Sequence, residues 1–287
     1  MRRLPVVLLA ICLLCSAGAA QELTGTLKRI AESGEFRIGF VPDAPPMSFV
    51  DRQGEPAGYT IALCRTVAAA VKKAAGLEDM EISYVPLVLP EERLSAVESG
   101  TVDIECGAST ITLSRRERVD FSLMTFITGG AIVSLNKSPI ASINELEDKT
   151  IAVIEGTTTH AALRQFGEIN EVVLTLRIID THAKGMELLN TGKVDGYATD
   201  RSMILGQVLR SEDAGSYAIS SDVFSFEPHG LMMKRGDTDF RLVVDRALAS
   251  LYRGARIRRI YHDWIGRYGE ALPPIVEAMY EFQAVSE

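Results

Sequence analysis

An α/β fold of two similar lobes, each a mainly parallel sheet flanked by helices, is predicted by three observations. Strand and helix patterns alternate through most of the chain, the order that builds parallel sheets with helices on their faces. The 287 residues exceed what a single hydrophobic core usually organises, which favours two domains. A short pattern also recurs. A helix, Ser99-Gly-Thr-Val-Asp103 and a strand in one half match a helix, Thr191-Gly-Lys-Val-Asp195 and a strand in the other. No low-complexity linker separates the halves, so short crossovers must divide them.

Residues 23–34 read as a lead-in helix with apolar Leu23, Leu27 and Ile30, stopped by Gly34. Phe36 to Val41 alternates as a strand, and the prolines of Pro42-Asp-Ala-Pro-Pro-Met-Ser-Phe49 force an extended loop. From Tyr59 to Ala75, Cys64, Val67, Ala68 and Val71 recur at helical spacing, and Gly76 ends the helix. A strand at 81–85 and a helix at 90–99 lead into a strand in which Val102, Ile104 and Cys106 alternate with Asp103 and Glu105. Residues 129–135 read as a strand, and Ser142-Ile-Asn-Glu145 caps a short helix. The second series follows: strand 150–154, loop 155–158, a helix to about Gly167, strand 172–179, helix 182–190 and strand 194–198. A returning strand at 230–234 and helices at 238–253 and 255–268 finish the fold, with Trp264 read as core.

The first twenty residues have the form of a secretory signal: Arg2 and Arg3, an apolar run from Leu4 to Leu14, then Ser16-Ala-Gly-Ala-Ala20. Cleavage near Ala19 or Ala20 is expected. Leu14 stands where lipidation at Cys15 would want a small residue, so lipidation is not expected. Removing Arg2 and Arg3 moves the formal charge from −8 to −10, a balance that disfavours nucleic acid as a partner. Two cysteines remain, Cys64 and Cys106. An exported chain admits a disulfide between them, and two buried thiols are the other reading. His160, His182, His229 and His262 show no ligand spacing, and no metal or other cofactor is expected.

The chemistry concentrates between Ser99 and Arg115. Gly107-Ala-Ser-Thr110 offers backbone N–H groups with little side-chain obstruction at the end of a strand, where open α/β sheets bind ligands. Ser114-Arg-Arg-Glu117 has capping-box spacing, which puts Arg115 in a first helical turn, where guanidinium, free backbone donors and helix dipole converge. A planar guanidinium suits a carboxylate because it donates two parallel hydrogen bonds. Pairing of Arg115 with Glu117 or another surface acid is the competing reading of the stretch alone.

These pieces resemble a known family. Phe36-Arg-Ile-Gly39, Gly58-Tyr59, Ser99-Gly-Thr-Val-Asp103, Cys106-Gly-Ala-Ser-Thr110, Arg115-Arg-Glu-Arg-Val-Asp-Phe-Ser122, Leu146-Glu-Asp-Lys-Thr-Ile-Ala-Val153, Gly156-Thr157 and Asp200 are similar, in order, to the periplasmic amino-acid-binding proteins of ABC importers. The Val102–Thr110 stretch and the placing of His182 look most like the glutamate/aspartate-binding branch. The resemblance implies a type II periplasmic binding protein with two hinge crossovers, near 124–129 and 226–232. Residues 1–20 would be the signal peptide, 21–126 with 231–287 one lobe, and 127–230 the other. It further implies a periplasmic, monomeric protein that closes on a free amino acid and presents it to ABC permease subunits.

An α-amino acid offers a carboxylate and an ammonium close together, so its site needs a fixed cation with donors and a fixed anion. Arg115, the Thr110 hydroxyl and the N–H groups near Ala108 would serve the carboxylate, with Gly156-Thr157-Thr158 closing from the second lobe as a further donor set. Asp200 would take the ammonium, unless it only caps the helix that begins at Arg201. Arg93 and His182 match positions that face the ligand tip in relatives, whereas Val41 stands where acidic-ligand relatives place an arginine. Met47 and Phe49 are read as pocket wall or as core, and Glu91 and Glu92 as solvated acids at a helix start. A polar or acidic amino acid is favoured. The rivals are an enzyme on the same scaffold, similar to cyclohexadienyl or prephenate dehydratases, with Glu155 as the general acid, and a soluble sensor that presents its ligand to a receptor. Binding without catalysis is preferred.

Overall fold

The structure, a computed structural model, describes residues 22–286. The expected signal segment, with Cys15 and the cleavage position, lies outside the described residues. Among the described residues, no helix is long and apolar enough to cross a membrane.

The chain enters β1 (Glu35–Phe40), folds a small ribbon from β2 (Asp43–Ala44), β3 (Ser48–Val50) and β4 (Pro56–Ala57), and continues through β5 (Glu81–Pro86), β6 (Ile104–Thr110) and β7 (Val119–Thr128). It then crosses into β8 (Gly130–Leu135), β9 (Thr150–Ile154), β10 (Thr175–Ile179), β11 (Gly196–Asp200) and β12 (Tyr217–Ile219), and returns on β13 (Glu227–Lys234). The first sheet has the order β5-β1-β6-β13-β7 and the second β10-β9-β11-β8-β12. In each, four strands run one way. The fifth, β13 in the first sheet and β8 in the second, has just arrived from the other sheet and runs against them. The mainly parallel character follows from the strand–helix alternation, and the single reversed strand is the cost of crossing. β7 and β13 also pair with each other, Glu227 opposite Thr128 and His229 opposite Phe126, so the two crossings travel together.

Both faces of each sheet are covered. In the first lobe Phe36, Ile38, Ile61, Val67, Leu231 and Phe240 fill one layer, and Leu94, Val97, Val102 and Met232 the other. In the second, Ala152, Leu189, Tyr197 and Ile204 pack on one side and Ile132, Ile151, Val153 and Leu163 on the other. Cys64 and Cys106 are joined as a disulfide, tying helix Tyr59–Ala74 to β6.

The repeated pattern does the same work in both lobes. Gly100 (φ +73°) and Gly192 (φ +67°) turn the chain out of a helix in the left-handed region. The aspartate three residues on then fixes a neighbouring strand: Asp103 Oδ2 accepts from Arg37 N (2.7 Å) in β1, and Asp195 Oδ2 from Thr150 N (2.8 Å) in β9.

Four expectations are corrected. β6 runs on through Gly107 to Thr110, because β13 lends it a ladder there, His229 opposite Thr110 and Gly230 opposite Ser109. Residues 255–268 form helix Arg256–Trp264 and a separate 3-10 turn, and the fold ends on a further helix, Pro274–Gln283, whose Val276, Met279 and Tyr280 enter the first core. The strand read at 172–179 starts at Thr175, since Gly167 lies inside helix Thr158–Asn170. The cap of the short helix Leu113–Arg116 is Thr112, whose Oγ1 accepts from Arg115 N (3.1 Å), instead of Ser114.

Candidate ligand-binding cleft

The C-terminal ends of β6 and β11 face each other, and a small cavity of about 40 Å³ lies between them. The first lobe lines it with Val41, Ala44, Arg93, Ala108, Thr110 and Arg115, and the second with Thr157, Thr158, His182 and Asp200, among others. Larger cavities exist elsewhere. One of about 290 Å³ behind the crossings is lined mainly by apolar side chains, and one of about 520 Å³ lies among Arg29, Arg37 and Asp237, but neither gathers the expected site residues.

Arg115 is in the first turn of its helix, and its guanidinium is held by two carbonyls, one per lobe: Nη1 donates to Thr110 O (2.8 Å) and Nη2 to Gly156 O (3.3 Å). Among the described residues no surface acid, Glu117 included, pairs with it. Burial, and next the Arg93 charge, lower its pKa to about 10, so it stays a cation at neutral pH. Gly156 therefore acts through its carbonyl and does not itself line the cavity. The start of helix Thr158–Asn170 lines the same cavity through Thr157, Thr158 and Thr159, with Thr157 Oγ1 capping His160 N at 3.1 Å.

Asp200 ends β11 at the N-cap position of helix Arg201–Arg210, yet its side chain makes no capping bond. Its Oδ2 lies instead 2.8 Å from His229 Nε2, a ring nitrogen donating to a carboxylate, and both groups are buried. Asp200 is thus an oriented acceptor at the cavity wall.

Glu227 and His229, both on β13, escaped the sequence reading. Glu227 is 1% exposed, and its Oε2 accepts from Thr110 Oγ1 (2.7 Å) and Thr158 Oγ1 (2.6 Å), while Oε1 accepts from Ser225 Oγ (2.6 Å). Their only sequence signal is an acid and an imidazole at the head of an apolar run whose strand pattern starts at Gly230. Because each hydroxyl has one proton, Thr110 turns its lone pairs, not a proton, toward the cavity. The donor role expected of the Thr110 hydroxyl toward a carboxylate is therefore corrected.

At the other end of the cavity, Arg93 is buried on helix Pro90–Glu98. Its Nη1 donates to Ser109 Oγ (3.2 Å) and lies 3.7 Å from Oε1 of the fully buried Glu105, while its Nε has no hydrogen-bond partner. His182 lines the cavity with its Nδ1 bonded to the Tyr197 hydroxyl. Burial lowers its pKa, against the attraction of Asp43 and Asp200, so it stands there as a neutral imidazole. Val41 packs on Ala44 and Met203 as an apolar end wall. Phe49 is placed elsewhere: it packs edge-on to Trp264 (centroids 6.0 Å apart) under the Arg210 guanidinium and does not reach the cavity. Met47 is core. Glu92 caps its helix by accepting from Val88 N (2.8 Å), and Glu91 pairs with Arg118. Glu155, the candidate acid of the enzyme reading, is exposed and outside the cavity lining.

Two α/β lobes linked by paired crossing strands, with a half-buried cation from one and a buried anion from the other lining one cleft, define a two-lobed solute-binding protein. Comparison with known proteins gives the family. The model of bacterial extracellular solute-binding proteins, family 3, matches residues 36–267, and the chain belongs to that family. It is similar to the L-glutamate/L-aspartate-binding protein of Pseudomonas aeruginosa, with 30% identity over 91% of this chain and 86% of the relative. It also resembles the glutamate/aspartate import solute-binding protein of Escherichia coli K12, with 25% identity over 96% and 91% of the two chains. Among solved structures, a solute receptor for L-cysteine of Neisseria gonorrhoeae superposes with a TM-score of 0.76 at 25% identity, over 88% of this chain and 98% of the receptor.

Proposed function

We propose that this chain is the periplasmic solute-binding component of an ABC importer, capturing a free amino acid between its lobes as a monomer and delivering it to the membrane permease. The observation that carries the reading is the convergence of Arg115 and Asp200, one from each lobe, on a single cavity. The α-carboxylate rests on Arg115, the backbone N–H groups near Ala108 to Thr110 and the start of helix Thr158–Asn170. The ammonium rests on Asp200, which His229 orients, and on the lone pairs of Thr110. Residues 21–126 with 231–287 form one lobe and 127–230 the other, hinged near 124–129 and 226–232. Export with removal of the signal segment near Ala19 or Ala20 delivers the chain to the compartment where its disulfide is stable.

A polar or acidic side chain, glutamate- or aspartate-like, is favoured. The two relatives named for glutamate and aspartate support it, as does the presence of the Arg93 cation in the cavity lining. Val41, Glu105 and the neutral His182 make that end less cationic than two free arginines would. A thermal-shift screen of ligand-free protein against the twenty amino acids tests the proposal, because a ligand that binds only the folded state raises its stability. At least one should raise the melting temperature and titrate one-to-one. Stabilisation by none would remove the reading, and turnover of a prephenate-like substrate would replace it with the enzyme reading.

A further inference from the structure

Beyond the cavity wall the lobes touch again, through groups that no ligand would reach. The loop after β1 leaves the first lobe and lies on two helices of the second, His182–Asn190 and Arg201–Arg210. Both hydrogen bonds of the Asp43 carboxylate cross to the second lobe: Oδ2 accepts from His182 N (2.8 Å) and Ala183 N (3.3 Å). The Asp43 carbonyl accepts from Gln207 Nε2 (2.9 Å). Asp43 is half-buried and does not line the cavity.

The N–H groups at a helix start have no partner within the helix, and the helix dipole favours an anion there. Helix His182–Asn190 already has a cap of its own, since Thr181 Oγ1 accepts from Lys184 N (3.2 Å). The two donors that Thr181 leaves are those that Asp43 takes from the opposite lobe. Close approach is built in nearby. A Cβ added to Gly206 would fall 2.1 Å from Pro45 O, so only glycine lets the loop seat on helix Arg201–Arg210.

We infer that Asp43 is a closure residue, a carboxylate of one lobe that completes the cap of a helix in the other when the cleft shuts, and so sets how fast ligand leaves. The inference rests on the reading that the lobes close on an amino acid. Apart, the lobes leave these N–H groups and the carboxylate to water. Together, they must part before ligand escapes, so the contact acts on release and not on encounter. Asp43 touches no ligand and acts by positioning the second lobe.

Rapid-mixing measurements on the mature chain, with L-glutamate, L-aspartate and L-glutamine as probes, test this. Asp43→Ala should speed dissociation of whichever probe binds by about fivefold to tenfold, the range of a lost helix cap. The association rate should stay within about twofold. The melting temperature without ligand should be unchanged, and the stabilisation by ligand reduced. Asp43→Asn, which keeps an acceptor oxygen without its charge, should fall between. Gly206→Ala, on the other lobe, should weaken binding with native circular dichroism, an independent check if an Asp43 variant fails to fold. An unchanged dissociation rate, or an equal loss of stability with and without ligand, would overturn the inference and leave amino-acid binding standing. Wild-type protein that binds none of the three probes calls for the same measurements with whichever amino acid the twenty-member screen selects, and binding of none of the twenty would remove the inference together with the reading beneath it.

Discussion

Arg115 and Asp200 hold opposite charges at opposite sides of one small cavity, and the functional reading depends on them more than on any other pair. Each charge-assisted hydrogen bond contributes about 1.5–3 kcal/mol. Arg115→Ala removes two such donors and should weaken every amino acid by on the order of a hundredfold or more. Arg93→Ala should weaken mainly those with polar side chains. Calorimetric titration of both variants with glutamate and alanine separates the roles, and equal losses would refute the division. Glu227 makes a different prediction. It accepts three hydroxyls inside the protein, so Glu227→Ala leaves buried donors unpaired and should cost about 3 kcal/mol in denaturant unfolding. A change below about 0.5 kcal/mol, the level of an indifferent surface substitution, would contradict that account. Arg115 and Asp200 were legible because their local patterns, a capped helix start and a strand end, are short-range. Glu227 and His229 were not, since their roles exist only once β13 returns beside residues as far back as Thr110. Phe49 shows the converse error: an aromatic next to a proline loop suits a pocket wall, but Trp264, far along the chain, claims it.

At the scale of elements, alternation and glycine stops gave most boundaries, and the repeated Gly-x-Val-Asp pattern marked two equivalent turns because the same aspartate-to-backbone bond fixes a strand in each lobe. What stayed hidden was set by partners distant in sequence. β6 extends through Gly107 and Ala108, residue types depleted in strands, because β13 supplies its ladder, and Glu105 is fully buried because Arg93 and Ser109 meet it. The disulfide, one of two readings of Cys64 and Cys106, spans a separation of 42 residues. In the chain-entropy model such a crosslink stabilises by about 4 kcal/mol. Replacing both cysteines by serine should lower unfolding stability by roughly that amount, and equal stability with and without reductant would contradict it. Because the bond anchors β6, the strand that carries Ala108 and Thr110, the loss should also loosen ligand binding.

Across the whole molecule, two lobes were readable from length and alternation, whereas the meeting of their surfaces was not, because no local pattern encodes it. The buried imidazole of His182 makes the protein's stability pH-dependent. Burial lowers the pKa of His182 below its ordinary 6.5, so between those values the unfolded chain binds more protons than the folded one. The contribution of neutral His182 to stability is present above about pH 6.5 and is lost as the pH falls toward the lowered value. Unfolding midpoints from pH 7.5 to 5 should show this slope in the wild type and a smaller one in His182→Gln; identical slopes would count against it. The central claim is that the cleft reads an amino acid by both of its charged ends. Its most direct test is calorimetric titration of the tightest-binding amino acid beside two analogues, the 2-hydroxy acid that lacks the ammonium and the primary amide that lacks the carboxylate. Both analogues should bind weaker by on the order of a hundredfold. An analogue that binds as tightly as the amino acid would contradict the account.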